Sequence, residues 1–258
     1  MRPLTVKFEP DRDRREFTDE LRDALLASRL VVTTGVMPGN GARPFWDDVS
    51  EELGDCVLLA EDPRTGEKKG EKWMEIRYDG SIPDAFRHSN EAQPLHTDGA
   101  YLSGGPEIIF FYCLKQAPAG GETIFIDGPE LIEVLEHDRP ELLERLTTTP
   151  VTFSKAADRK TRLVVDLSGE LPRLTWNWYT VDAGVDAEVR DLADEFHAYL
   201  QTAVVGVHTR PVLLTPGDAV FFHDERLLHG RNAFEAHRAD DRFFWKTGFT
   251  PRAAARTR

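Results

Sequence analysis

The sequence predicts a mainly β fold with flanking helices (α+β), built around a double-stranded β-helix (jelly-roll) core. Strand-like runs separated by Gly and Pro turns fill much of residues 108–250. Helical periodicity is concentrated near the N-terminus and in the middle of the chain. No linker or repeat divides the 258 residues. We therefore expect a single domain over residues 1–258, wrapped by helices, with a flexible basic tail at 251–258.

Apolar residues at helical spacing predict four helical segments. They are residues 17–30, 45–54, 128–146 and 186–204. Thr18 is a candidate N-cap of the first segment, and Gly54 is a candidate C-cap of the second. Pro140 lies inside the third segment, which we therefore expect to form two short helices.

Apolar and β-branched runs predict the strands. They are residues 108–114, 122–127, 161–167, 174–180, 210–222 and 242–250. Within 210–222, Pro216, Gly217 and Asp218 separate two apolar halves. Such residues suit a tight turn, so this segment predicts two antiparallel strands joined by that turn.

Composition limits the classes of partner. The net charge of −13 argues against nucleic acid or an anionic membrane as the main partner. No run approaches the roughly 20 apolar residues that span a bilayer, and the charged N-terminus lacks the apolar core of a signal peptide. Cys56 and Cys113 lie in apolar runs and are expected to be buried free thiols. These features predict a soluble cytoplasmic protein, do not identify a substrate, and leave the oligomeric state open.

The sharpest local motif is Leu95-His96-Thr97-Asp98-Gly99. In an extended segment, residues two apart point to the same side, so His96 and Asp98 can address one cation. A second imidazole, from His229, would complete a facial triad. Such a triad leaves about three open positions on Fe(II), enough for a bidentate cosubstrate and O2.

A histidine two residues before an acidic residue is a weak signal by itself. With 8 histidines and 45 acidic residues, about 1.4 such pairs are expected by chance from composition. The chain contains a second pair, His223 and Glu225, and an alternative triad would combine it with His229. That triad would compress all three ligands into one short segment. Strand packing can instead bring His229 to His96, so the first pair is favoured.

Two further residues suit a 2-oxoglutarate pocket. This keto acid chelates a metal through its keto and C1-carboxylate oxygens, and its distal carboxylate then needs a fixed cation. Arg242, at the start of an aromatic strand, offers a planar fork for a carboxylate, and Thr123 offers a hydroxyl. The competing interpretation of Arg242 is a surface ion pair with Asp240 or Asp241.

Four motifs in order resemble the taurine dioxygenase / clavaminate synthase-like superfamily of Fe(II)/2-oxoglutarate-dependent oxygenases. They are LHTDGAY, APAGGETIFID, PGDAVFFHDERLLHGRNAF and DDRFFWKTGF, within residues 75–250. The resemblance implies that iron is bound by His96, Asp98 and His229. It also implies that Thr123 and Arg242 bind 2-oxoglutarate. Arg238 lies close to Arg242, so a shifted register would give Arg238 that role.

The resemblance implies hydroxylation of a C–H bond in a small polar molecule, an amino acid or a derivative, with release of succinate and CO2. Asp98 argues against halogenation, because related halogenases have a small residue at that position. Desaturation or cyclisation would use the same residues and stays open. A cupin-like binding protein without turnover and a zinc hydrolase are two rival functional classes for the same ligand set.

Five residues are candidate substrate contacts. Arg77 and Tyr101 lie near the first metal ligands in the sequence, and Trp176, Asn177 and Trp178 form a Trp-Asn-Trp segment. For each of them, core packing or surface exposure is the competing interpretation.

Overall fold

A computed structural model of the chain describes residues 2–62, 67–82 and 85–252. The strands are β1 Leu4–Lys7, β2 Leu30–Thr34, β3 Gly54–Val57, β4 Met74–Arg77, β5 Gln93–His96, β6 Ile108–Lys115, β7 Thr123–Asp127, β8 Pro150–Lys155, β9 Asp158–Leu163, β10 Val165–Asp166, β11 Arg173–Leu174, β12 Arg210–Val212, β13 Ala219–His223, β14 Leu227–Arg231 and β15 Phe243–Pro251. The α-helices are α1 Arg14–Ala27, α2 Ala42–Leu53, α3 Gly128–Asp138, α4 Pro140–Thr148, α5 Ala187–Leu200 and α6 Ala203–Gly206.

Most of the longer strands belong to two sheets. The larger sheet has seven strands in the order β1-β2-β13-β6-β15-β3, with β4 also paired to β15, and the smaller has the order β12-β7-β14-β5. Within these two sheets β1 and β2 are parallel, and the other described pairs are antiparallel. The chain is therefore a mixed α/β structure with two principal sheets.

The two sheets pack face to face through an apolar layer. Alternate residues of a strand point to opposite faces, so Val220 and Phe222 of β13 face this layer while Phe221 faces away. Phe222 contacts Phe125 of the smaller sheet, with 5.2 Å between ring centroids. Ile109 and other residues of the larger sheet complete the layer. This arrangement leaves an interior between the sheets into which polar residues of the same strands also point.

Helices cover the outer faces of both sheets. Helices α1 and α2 pack on the larger sheet, where the fully buried ring of Trp46 contacts Phe110, Tyr112 and Phe221. Helices α3, α4 and α5 pack on the smaller sheet, against Leu228 and its neighbours. Both sheets are thus held between layers of apolar side chains, which fixes the position of the interior strands.

The first helix differs from its prediction. It begins at Arg14 and is capped by Asp13, whose carboxylate accepts hydrogen bonds from two N–H groups of the first turn. Thr18 is therefore not the N-cap but is buried inside the helix. Asp13 is available as a stronger cap just upstream. At the other end, Leu30 belongs to β2, because its segment pairs with β13.

The other predicted helices are present, with shifted ends. Helix α2 ends before Gly54, which is its C-cap as expected. The third segment is divided at Pro140 into α3 and α4. The fourth segment forms α5 and then the short α6. The apolar periodicity therefore located each of these helices.

The predicted hairpin over 210–222 is wrong. Its first half, β12, pairs with β7 in the smaller sheet, and its second half, β13, pairs with β2 and β6 in the larger. The turn at Gly217 has φ of 100°, and it carries the chain from one sheet to the other. The runs are therefore neighbours in sequence but not in a sheet.

The predicted strand over 174–180 is also mostly absent. Leu174 ends the two-residue β11, and Trp178–Thr180 is a turn of 3₁₀-helix. Trp176 between them is fully buried and packs on Phe196 of α5. Packing of the aromatic side chains on the helices decides this segment, instead of pairing in a sheet.

The structure also bears on the predictions for the two cysteines, for membrane-spanning segments and for the C-terminal tail. Cys113 is buried and Cys56 is half-buried, and both are free thiols. In the part of the chain that the structure describes, no helix is long and apolar enough to cross a bilayer. Pro251 ends β15, and Arg252 is ion-paired with Asp55. The rest of the predicted flexible tail, 253–258, lies outside the described residues.

Trp46→Ala tests the packing of α2 on the larger sheet. Removing this buried ring should lower the free energy of unfolding by about 3–5 kcal/mol, because a cavity remains among the aromatic rings. Leu26→Ala is the control, since this side chain is 78% exposed and the change should stay within about 0.5 kcal/mol. Urea denaturation measures both, and equal effects would contradict the described packing.

Candidate active site

The two histidines His96 and His229 are brought together by strand pairing. Strands β5 and β14 are antiparallel, and His229 lies directly opposite His96. Their ring centroids are 4.2 Å apart, and both residues are buried between the sheets. Residues 133 positions apart in the chain (229 − 96) thus share one register position.

Asp98 completes the cluster from a turn. The Nε2 of His96 lies 3.7 Å from Oδ1 of Asp98, and the Nε2 of His229 lies 3.7 Å from its Oδ2. The three ligand atoms lie within 4.8 Å of one another. The expectation that Asp98 shares an extended segment with His96 is wrong, because β5 ends at His96. The turn that follows still places the carboxylate beside both imidazoles.

Both imidazoles are able to present a lone pair to a metal. The Nδ1 of His96 contacts the carbonyl of Pro94 at 2.9 Å, and the amide nitrogen of Gln93 contacts its Nε2 at 3.2 Å. These contacts fit a tautomer with the proton on Nδ1, which leaves Nε2 as the acceptor. Burial, and secondarily the neighbouring His96, hold the pKa of His229 well below its usual value. A neutral imidazole is the form that binds metals.

Lys246 is a site residue that the sequence analysis missed. Its Nζ lies 2.6 Å from Oδ2 of Asp98, and its side chain is buried. Burial alone would raise the pKa of Asp98, but the ammonium group of Lys246 holds it well below the usual value. The carboxylate is therefore ionised. Alternation along β15 could have located this lysine, since residues 242, 244 and 246 share one face.

Asp224 is a second residue that the sequence analysis missed. Its two carboxylate oxygens accept hydrogen bonds from the backbone N–H groups of Asp98 and Gly99, at 2.8 and 2.9 Å. Burial and the charge of Asp98 raise the pKa of Asp224 to about 7. In the sequence Asp224 lies in the polar stretch HDER, beside Glu225, so no pattern marks it as a site residue.

The alternative triad is not assembled. The Nε2 of His223 contacts the carbonyl of Leu25 at 3.0 Å, and Glu225 is ion-paired with Arg162 at 2.5 Å. Among the described residues, the metal-ligating side chains that come together in a group of three are His96, Asp98 and His229. The order and packing of the strands therefore bring together the first pair, not the second.

Thr123 and Arg242 line a small inner cavity beside the three ligands. The cavity has a volume of about 70 Å³. Arg242 is 4% exposed, lies on the ring of Phe244 and donates a hydrogen bond to the carbonyl of Gly121. Its Nε has no hydrogen-bond partner among the described residues. Burial lowers the pKa of Arg242 to about 9, so the side chain stays cationic at neutral pH.

The competing interpretations of Arg242 do not describe its position. Asp240 is paired with Arg77, and Asp241 is paired with Lys115. Arg238 is exposed and does not line the cavity. Of the two arginines, Arg242 is therefore the one beside the candidate metal ligands.

A larger outer cavity of about 320 Å³ shares His96, Asp98 and Lys246 with the inner one. Tyr101, Asn177 and Trp178 also line it, as expected of candidate substrate contacts. The two other candidates do not. Arg77 is paired with Asp240 away from this cavity, and Trp176 is in the helical core.

Comparisons with known proteins give the family. The family model described as "Taurine catabolism dioxygenase TauD, TfdA family" matches residues 2–246. Gamma-butyrobetaine dioxygenase from Homo sapiens is 29% identical over 155 residues, which cover 55% of this chain and 40% of that protein. The match therefore spans less than half the length of that relative.

Solved structures share the fold. Asparagine oxygenase, in complex with Fe(II), 2S,3S-3-hydroxyasparagine and succinate, has a TM-score of 0.64 at 15% identity, over 93% of this chain and 85% of that one. The non-heme iron oxygenase OrfP, in complex with Fe and alpha-ketoglutaric acid, has a TM-score of 0.66 at 14% identity, over 99% and 96%. With the family model matching nearly the whole chain, this protein belongs to the TauD/TfdA dioxygenase family.

Proposed function

We propose that this protein is an Fe(II)/2-oxoglutarate-dependent dioxygenase that hydroxylates a C–H bond of an amino acid or a derivative. The observation that carries the proposal is that two cavities adjoin one cluster of candidate metal ligands. The cluster is His96, Asp98 and His229; the inner cavity contains Arg242, and the outer cavity is the larger of the two. A metal site, a site for a second carboxylate and space for a substrate thus adjoin.

The cluster suits a single Fe(II) ion. Its donor set is two neutral imidazoles and one ionised carboxylate, the facial set used by non-haem iron oxygenases. Each histidine nitrogen lies 3.7 Å from the carboxylate, less than about twice a metal–nitrogen bond of 2.1 Å. One ion can therefore contact both partners of each pair. A carboxylate at position 98 would also occupy the ligand position that halide takes in related halogenases, which favours oxygen insertion.

The inner cavity suits the distal carboxylate of 2-oxoglutarate. The unpartnered Nε of Arg242 is a buried donor that a carboxylate would satisfy. Thr123, the first residue of β7 in the smaller sheet, offers a hydroxyl at the same cavity. A keto acid held there would have its keto and C1-carboxylate oxygens toward the ligand cluster. The strands of two sheets thus orient one cosubstrate.

Bound Fe(II) would supply, with 2-oxoglutarate and O2, the oxidative decarboxylation that yields succinate, CO2 and an oxidant for the C–H bond. The protein holds the ligands in place, excludes water and orients the substrate. Phe111 and Phe244 line the inner cavity with apolar surface, which limits water beside the reacting groups. Lys246 keeps Asp98 ionised and in place.

The outer cavity suits a small polar substrate. It carries aromatic surface from Trp178 and Tyr179, and charged groups at Arg87 and Lys246. Such a lining can contact both an apolar chain and a carboxylate of an amino acid. The relatives whose names include asparagine and butyrobetaine act on molecules of this kind, which supports the assignment of the substrate class.

We also propose that the two facing sheets form a double-stranded β-helix core. The antiparallel strands of both sheets, their shared apolar layer and the position of the ligands on β5 and β14 support it. Solved oxygenases with TM-scores of 0.64 and 0.66 give further support.

Succinate release tests the reaction class. Wild type should release succinate from 2-oxoglutarate when Fe(II), O2 and a substrate amino acid are supplied, and His96→Ala should fall to background because a metal ligand is gone. Glu225→Gln is the matched control, since its carboxylate faces Arg162, and it should behave as wild type. Turnover by His96→Ala equal to wild type would contradict the assignment. Activity with zinc and without O2 would favour a hydrolase.

Arg242→Ala tests the 2-oxoglutarate site. Loss of a charge-assisted hydrogen bond of about 1.5–3 kcal/mol should raise the KM for 2-oxoglutarate about 10- to 100-fold. Arg242→Lys should recover only part of this loss, because lysine lacks the planar fork. Arg238→Ala is the control and should leave KM unchanged. A KM that rises in Arg238→Ala but not in Arg242→Ala would assign the role to Arg238.

Product mass tests the type of oxidation. Hydroxylation adds one oxygen atom to the substrate, and we expect this product from a screen of free amino acids and close derivatives. Loss of two hydrogen atoms instead would show desaturation or ring closure at the same site.

The anaerobic complex with Fe(II) and 2-oxoglutarate should show a visible charge-transfer band. Its absence would favour a binding protein without turnover.

A further inference from the structure

Asp224 lies in the turn that joins β13 to β14. This turn precedes His229 on β14, and Asp224 is 1% exposed. Its own N–H donates to the carbonyl of Glu107 at 3.0 Å. The turn is thus fixed to the strand that β13 pairs with, and Asp224 is held inside the protein.

Both oxygens of the Asp224 carboxylate are used on one short segment. Oδ1 accepts the N–H of Asp98 at 2.8 Å, and Oδ2 accepts the N–H of Gly99 at 2.9 Å. A side chain at Gly99 would place its Cβ 3.4 Å from Oδ2, so the turn lies close against the carboxylate. Two successive amides converging on one carboxylate fix the direction of the backbone at Asp98.

Strand pairing does not provide this constraint. The register of β5 and β14 fixes His96 and His229, but Asp98 follows the end of β5. Asp224 therefore ties the segment that carries Asp98 to the turn that leads into β14, the strand that carries His229. It joins two parts of the metal site that no strand pairing joins at this point.

The contact is also expensive in free energy. Asp224 forms no ion pair that the structure shows among the described residues. The negative charge of Asp98 lies nearby and disfavours ionisation of Asp224. Burying a carboxylate without a cationic partner is unfavourable and is rare unless the group is hydrogen-bonded. An apolar residue at this position would avoid the buried carboxylate but would leave the N–H groups of Asp98 and Gly99 without these acceptors. The acidic side chain is explained by what it does to Asp98.

We propose that Asp224 is a positioning residue that orients the metal ligand Asp98 and thereby sets the affinity of the site for divalent iron. The inference rests on the proposed function, since it assumes that the cluster binds metal. Replacing a residue that is hydrogen-bonded to a metal-binding residue typically lowers metal affinity about 10- to 100-fold.

A graded series of variants tests the inference. Asp224→Asn keeps one acceptor for the two amides, and Asp224→Ala keeps none. We expect the Kd for Fe(II), measured by anaerobic titration, to rise about 10-fold in Asp224→Asn and up to about 100-fold in Asp224→Ala. Co(II), followed by its visible spectrum, gives the same measurement without O2 sensitivity. Glu225→Gln is the matched control in the same turn, and its Kd should equal that of wild type.

A second measurement separates positioning from stability. The melting temperature of metal-free Asp224→Asn should stay near that of the metal-free wild type, although its Kd for Fe(II) rises. Amide hydrogen exchange at Asp98 and Gly99 should be slow in wild type and faster in Asp224→Asn, with or without metal. This readout remains available on wild type even if Asp224→Ala does not fold.

The outcomes distinguish the two proposals. Failure of wild type to bind Fe(II) or Co(II) would refute the proposed function itself. If wild type binds metal and the Kd values of Asp224→Asn and Asp224→Ala lie within about twofold of the wild-type Kd, the positioning role alone is refuted. Fast exchange of both amides in wild type would do the same.

Discussion

Antiparallel pairing between β5 and β14 places His96 opposite His229, and the rest of the site is arranged around that register. Side chains alternate between the faces of a strand, so a slip of one residue would turn His229 toward the helices, where Leu228 now lies. The apolar layer on the other side opposes such a slip. An irregularity between His229 and Arg231 follows, and irregularities of this kind commonly occur beside active sites.

The interior between the sheets holds more charge than an apolar core would tolerate. Arg231 is buried, and its guanidinium donates to the carbonyls of Phe86, Ser89 and Glu91. Burial lowers its pKa to about 10. Arg242 beside it donates one hydrogen bond, to the carbonyl of Gly121, and the Nε of each arginine has no partner among the described residues. Both arginines line the inner cavity, but the guanidinium of Arg231 also holds the loop before β5. Arg242 therefore keeps more of its donors free for a bound carboxylate.

The parts of the structure that can be predicted from the sequence are those that depend on regular periodicity or on motif order. The apolar repeat located α2 to α5, and Pro140 divided the third segment as expected. Short strands such as β1 and β5 escaped, because four residues carry too little alternation to stand out. Residues 210–222 were assigned to one hairpin, since local turn chemistry cannot show that the halves belong to different sheets. Strand partners are set by packing over long sequence distances.

The same division separates Lys246 from Asp224 within the site. Arg242 directly precedes β15, and Lys246 follows it by four residues. In an extended segment this even spacing places both side chains on one face, so identifying the strand would have been enough to predict a second cation beside the first. Asp224 contacts residues 126 and 125 positions away through two backbone amides. A backbone donor has no residue type, and so no pattern of side chains could reveal it. Side-chain chemistry on a regular strand is therefore readable from sequence, while a contact between a turn and a distant backbone requires the folded chain.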